Sequence, residues 1–137
     1  MQLKNAAAAL AFVLSIAAST GGGAQSVTPD VMAKQWVLLV DAQNYADSWT
    51  QAGAPFQARI SQQDWQKAVG PVRVPLGMVT SRTVKDVKTM CTLPGMPDGH
   101  YAVVRFDAAF SNKASAVETL SLEVEQGQWR VIGYFVR

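Results

Sequence analysis

Glu118 is the residue whose position most demands a chemical explanation. It stands in register with Ala114, Ala116, Leu120, Leu122 and Val124, the alternate positions that a strand turns toward one face. A carboxylate on a core face needs a partner, because an isolated buried charge is strongly penalised or driven neutral. Arg82 shares a register with Met78, Thr80 and Val84, and Arg73 lies just ahead of the same segment. The spacing predicts that Glu118 pairs with Arg82, or with Arg73, on the concave face of a sheet. Such a pair is either a structural salt bridge, a contact at the strand's exposed end, or a polar anchor inside a ligand pocket. In the last case Arg82, Glu118, Arg73 and Tyr45 form the candidate ligand-binding set.

Other chemistry finds less support. His100 follows Asp98-Gly99 at a turn, where a solvated imidazole is the ordinary expectation. Cys91 and His100 flank that turn and could approach across a hairpin, but Met90 and Thr92 supply no charge to activate a thiol. A single cysteine and a single histidine argue against a disulfide framework and against a zinc site. Gly21-Gly22-Gly23 belongs to the leader rather than to a phosphate loop. No motif calls for a cofactor or a metal, and no catalytic residue is singled out.

The elements that must position these groups follow from periodicity. Thr28-Pro29-Asp30 opens a helix, with Thr28 as cap, Pro29 in the first turn and Asp30 against the helix dipole. Met32, Trp36, Leu39 and Val40 make an apolar stripe that Ala33 and Val37 widen. The run Asp41–Trp49 continues or restarts that helix, and Gly53-Ala54-Pro55 breaks it. Ser61 and Asp64 resemble a capping box for a short helix that stops at Gly70-Pro71. From Met78 onward the pattern becomes strands. Val79–Cys91, Tyr101–Phe110, Ala114–Glu125 and Gln128–Val136 are separated by turns at 93–99, 111–112 and 126–127. The expected fold is α+β, N-terminal helices packed on a curved four-stranded antiparallel meander.

Composition bounds the rest. The chain has 137 residues, 49% of them hydrophobic, which suits one folded domain and excludes disorder for most of its length. Lys4, the apolar stretch Ala6–Ala18 and Gly22-Gly23-Ala24 read as an export signal over residues 1–24, leaving a single domain at 25–137. The alternative is that the segment stays uncleaved as an anchor. The Ala-rich signal looks bacterial, so the mature protein is expected in the periplasm or secreted, with no membrane association after signal removal. A formal net charge of only +2 argues against a nucleic-acid partner.

The aromatics are spread over separate elements, as expected if each element buries one large anchor. Tyr101, Arg105 and Asp107 are expected on a wet outer face of the sheet. The last strand is apolar on both faces, with Ile132, Tyr134 and Val136 opposite Trp129, Val131 and Phe135. Such a strand is central or covered from outside, and a homodimer could provide the cover.

The order of several motifs resembles one family. Trp36-Val37-Leu38-Leu39-Val40-Asp41 with Tyr45 and Ser48-Trp49, Arg73-Val74-Pro75-Leu76-Gly77 with Ser81-Arg82, and Leu93-Pro94-Gly95 with Pro97-Asp98-Gly99 and Tyr101 all carry it. Phe106 through Phe110 with Lys113, then Glu118 and Trp129-Arg130-Val131-Ile132-Gly133-Tyr134-Phe135, complete a pattern similar to domain-of-unknown-function family 4019. Gln43 stands where that pattern has a small residue, often Gly. The resemblance implies a small exported bacterial domain with no established activity. Its layout is similar to cystatin-like and nuclear-transport-factor-2-like cone folds, a likeness of architecture alone. Enzymes of that architecture place a carboxylate base and a tyrosine or acid donor in an apolar cavity. By that analogy Asp41 or Glu118 would be base and Tyr45 or Tyr134 donor in a small isomerase or hydrolase. The reading favoured by the sequence is a non-catalytic module whose partner is a small molecule or a protein.

Overall fold

The computed structural model describes residues 26–137. The signal peptide expected over residues 1–24, with its cleavage after Ala24, lies outside the described residues. Four helices precede the sheet: α1 (Pro29–Asp41), α2 (Tyr45–Gln51), α3 (Ala54–Arg59) and α4 (Gln62–Arg73), followed by a 3-10 turn at Val74–Leu76. The strands β1 (Val79–Met90), β2 (Tyr101–Phe110), β3 (Lys113–Glu125) and β4 (Gln128–Val136) pair antiparallel in the order β1-β2-β3-β4. This is the α+β arrangement of helices and an antiparallel meander expected from the sequence.

Thr28 occupies the N-cap position of α1 but makes no side-chain cap bond; the other helix signals act as written, with two differences. Pro29 sits in the first turn of α1, and Ser61 Oγ accepts the Asp64 N–H at 3.1 Å to cap α4. Between α1 and α2 the chain turns through Gln43 at φ 59°, the left-handed conformation that glycine usually supplies after a helix. The first difference is that α3 fills the stretch 54–59, because Pro55 opens a helix rather than only ending one. The second is that α4 does not stop at Gly70-Pro71 but runs on to Arg73. Pro71 and Lys67, whose carbonyl loses its helical donor, are both exposed, so water can replace the missing bond. That extra turn carries Arg73 into the interior.

The inner face of the sheet presents Val104 and Phe106 from β2, Leu120 and Leu122 from β3, and Val131 from β4 to the helices. Against them pack Ala33, Trp36, Val37 and Val40 of α1 with Phe56, Trp65 and Val69. The large rings, contributed by separate elements as expected, converge on one another. Trp36 lies 6.2 Å from Phe56, 6.0 Å from Trp65 and 5.6 Å from Tyr134 between ring centroids. Their polar tips are satisfied locally. Trp36 Nε1 donates to the Ser48 carbonyl at 2.8 Å and Trp65 Nε1 to Ser48 Oγ at 2.9 Å, which explains a fully buried serine. A second apolar cluster, Ala108, Phe110 and Ala116 with Leu76, Val79 and Val136, lies farther along the same face.

β4 is an edge strand, neither central nor enclosed by the sheet. A bulge resolves its doubly apolar pattern. Ser121 pairs with Gly133 and Leu122 with Val131, leaving Ile132 as an extra residue. Trp129 and Val131 therefore face inward before the bulge, and Tyr134 and Val136 face inward after it. The shift of one residue brings Trp129, Val131, Tyr134 and Val136 to one side and leaves Phe135 exposed on the other. Ile132 is buried and the Gly53 N–H caps the Val131 carbonyl at 2.7 Å. The β3–β4 turn places Gln126 and Gly127 at φ 49° and 76°, the positive pair of a type I′ hairpin.

The outer face is polar as expected, with Arg105 bonded to Asp86 and Lys85 beside Asp107 at 3.7 Å. Tyr101 is the exception, only 2% exposed. The loop before β2 folds back over its ring, and the Tyr101 hydroxyl donates to the Pro97 carbonyl at 2.5 Å.

Candidate functional site

Between the two apolar clusters lies a layer of charge. Glu118 is fully buried on the inner face of β3. Arg82 reaches it from β1 across β2, where its neighbours in register are Ala108 and then Ala116. Those small side chains leave a trough for the guanidinium. Arg82 Nε donates to Glu118 Oε1 at 2.6 Å, and Nη1 and Nη2 donate to Asp41 Oδ2 and Oδ1 at 2.7 and 2.9 Å. All three guanidinium nitrogens are thus engaged, with a bidentate fork on Asp41.

Arg73 enters from the end of α4. Its Nη2 donates to Asp41 Oδ1 at 2.6 Å and its Nη1 to the Tyr134 hydroxyl at 3.2 Å, with Glu118 Oε2 at 3.9 Å. The guanidinium carbon stands 5.0 Å from the centre of the Phe110 ring, a cation–π contact. Tyr134 closes the circuit by donating its hydroxyl hydrogen to Glu118 Oε2 at 2.5 Å. Both oxygens of Glu118 are therefore paired, one by Arg82 and one by Tyr134.

The electrostatics follow from this geometry. Burial pushes the Asp41 carboxyl upward, but hydrogen bonds and charge from Arg82 and Arg73 outweigh it and hold the group below its ordinary range. Burial also works against the charge of Arg82, yet bonds to Asp41 and Glu118 raise its pKa. Burial, reinforced by the charge of Glu118, pushes the Tyr134 phenol well above the ordinary phenol range. Two carboxylates and two guanidiniums leave the layer without net charge.

Of the four candidate binding residues, Arg82, Glu118 and Arg73 meet in this network, and Glu118 engages both arginines. Tyr45 stands at the far side of Asp41. It helps to line a pocket of about 160 Å³ together with Val40, Asp41, Arg73, Val74 and Met78. Gly77 forms part of its floor at φ 78°, where a Cβ would come within 2.0 Å of Ser111 Oγ. Among the described residues, only the Tyr45 hydroxyl and Arg73 Nε are buried side-chain polar atoms without a hydrogen-bond partner. A larger hollow of about 400 Å³ between the start of α1 and the β3–β4 turn is lined by Ser26, Val27, Met32 and residues 126–129, with no ionisable group.

Sequence reasoning missed the central role of Asp41, named only as a candidate base by architectural analogy. The signal was present: Ala33, Val37 and Asp41 are spaced by four, so Asp41 extends the buried face of α1. Tyr134 was identified only as a candidate donor, because the bulge conceals its register. Cys91 is exposed and His100 lies nearby across a shallow hollow, with no bond between their side chains. Among the described residues no three potential metal ligands cluster, and no helix is long and apolar enough to cross a membrane.

A family model described as protein of unknown function (DUF4019) matches residues 32–134, from the first turn of α1 to Tyr134 of β4, and the chain belongs to that family. No curated protein matches the chain, nor does any solved structure.

Proposed function

We propose that this DUF4019 protein is an exported, non-catalytic module that binds a small ligand beside its buried charge layer. The observation that carries this reading is the pocket of about 160 Å³ that Asp41, Arg73 and Tyr45 line beside the layer. A small hollow with apolar walls and a few convergent polar side chains suits a small ligand. Export to the periplasm or beyond is supported by Lys4, the apolar run Ala6–Ala18 and the small residues at 22–24.

The alternative, a small isomerase or hydrolase of the cone-fold kind, needs a carboxylate and a phenol facing a common cavity in reactive states. Against it stands the pairing of every carboxylate oxygen in the layer and the engagement of the Tyr134 hydroxyl by Glu118. The helices-then-meander layout supports the architectural likeness to cystatin-like and nuclear-transport-factor-2-like folds, which says nothing of activity.

Native mass spectrometry of protein purified from the periplasm of its own host tests the proposal. The expected result is a retained mass that is lost in Arg73→Lys. The same spectrum reads the mature N-terminus and the oligomeric state, including any homodimer. A bare chain would contradict the small-ligand reading and favour a protein partner, and a retained mass indifferent to Arg73 would contradict its place beside the charge layer.

A further inference from the structure

We propose that the open edge of β4, with the hollow between that edge and α4, takes up an extended acidic peptide segment as an added antiparallel strand. This site shares no lining residue with the pocket beside the charge layer and goes beyond the small-ligand reading. β4 ends the sheet, and its register decides which backbone groups are free. The N–H and C=O of Arg137 both bond Val117, so alternation turns those of Phe135 toward β3 as well, opposite Thr119. The N–H and C=O of Tyr134 and Val136 therefore point away from the sheet. Water serves them in the free protein, and an added strand takes the water's place. Before the bulge the same edge is covered, since the Gly53 N–H bonds the Val131 carbonyl. The opening is confined to the end of the strand.

The surroundings of that opening are apolar. Ala68, Val69 and Val72 of α4 stand across from Tyr134 and Val136, around a hollow of about 240 Å³. That is roughly eight water-sized groups at ~30 Å³ each. Val72 and Phe135 are each 48% exposed. From Val131 to Val136 the strand carries no charge and no proline, the usual guards of a free edge. A residue paired with Tyr134 or Val136 places its side chain on their face of the sheet, over the hollow. Two apolar residues with one residue between them meet that requirement. Charge selects the occupant. Arg137 follows on the outer face, its guanidinium 5.1 Å from the centre of the Phe135 ring, and among the described residues no carboxylate pairs with it. An acidic residue opposite Arg137 matches that charge. The β4 strand of a second copy does not, because it has no acidic residue and brings its own Arg130 and Arg137. In antiparallel order the segment reads carboxylate, apolar, any residue, apolar.

The test titrates the full mature protein with acetylated Thr-Glu-Leu-Thr-Leu-Thr amide, following backbone amide resonances and hydrogen exchange by NMR. Saturable shifts centred on Tyr134 and Val136 are expected, with slowed exchange of both amides. Methylating the backbone nitrogens of the two leucines is expected to abolish binding, and lysine in place of the glutamate to weaken it several-fold. Val136→Pro removes one outward N–H at an edge position where proline is tolerated. That variant is expected to bind more weakly, up to about tenfold for one lost hydrogen bond. If it fails to fold, the two altered peptides still decide. No shift, or shifts away from the β4 edge, would overturn the site. Equal binding of the methylated peptide would overturn strand addition, and equal binding of the lysine peptide would overturn the acidic assignment. A concentration-dependent dimer in sedimentation that Val136→Pro abolishes would overturn the peptide reading in favour of a second copy.

Discussion

Arg82 on β1 and Glu118 on β3 meet at 2.6 Å although a whole strand lies between them. The contact works because β2 and β3 carry alanines at 108 and 116 along the arginine's path. It also ties the outermost strand to the middle of the sheet. Through Asp41 the same guanidinium ties the sheet to the end of α1, and through Asp41 and Tyr134 the end of α4 joins as well. The layer joins the sheet, α1 and α4 through side-chain bonds, and it shapes one wall of the pocket.

Tyr134→Phe removes a hydroxyl that donates to a fully buried carboxylate and accepts from Arg73. Hydrogen bonds to charged groups contribute about 1.5–3 kcal/mol, and a loss of that size is expected in urea unfolding. Wild-type stability in this variant would mean that Glu118 finds another donor.

Stability is expected to fall in acid. The pKa of Asp41 is lowered in the folded state, so the unfolded chain binds the proton more readily. The contribution of Asp41 is therefore present above the unfolded carboxyl value of ~4 and is lost as pH falls through the lower folded value. The raised phenol of Tyr134 acts at the other end. Its unfolded form ionises near pH ~10, and stability is lost as pH rises beyond that. Melting temperatures measured across this range should trace both limbs, and Asp41→Asn should flatten the acid limb.

Gly77→Ala is expected to cost more than about 1 kcal/mol, because alanine resists a positive φ and its Cβ would collide with Ser111 Oγ. That serine also accepts the Met78 N–H at 3.0 Å, so a displaced hydroxyl releases the segment below the pocket. Thermal unfolding reads the effect directly. A neutral substitution would show that the turn relaxes freely.

Much of this was legible in the sequence. Strict alternation in β2 and β3 put Glu118 on the core face, and the cost of an unpaired charge then required an arginine. What stayed hidden depends on breaks in periodicity. The bulge at Ile132 reverses the facing of Tyr134, and no local propensity marks it. Pro71 reads as a helix stop, but an exposed carbonyl at Lys67 let tertiary contacts of Arg73 prevail. Tyr101 reads as wet because alternation cannot foresee a loop folding back over it. The pocket depends on how the α1–α2 turn meets the end of α4, a long-range relation that residue spacing does not encode.

Glu118→Gln tests the central claim, that a paired and buried charge layer holds helices and sheet together, more directly than any other change. It keeps the size of the side chain while leaving Arg82 and Arg73 with Asp41 as their sole carboxylate in the layer. Breaking one partner of a buried pair is strongly destabilising, by about 3–5 kcal/mol. Urea unfolding of the two proteins is expected to show a loss in that range with an unchanged slope. A midpoint equal to that of wild type would contradict the account.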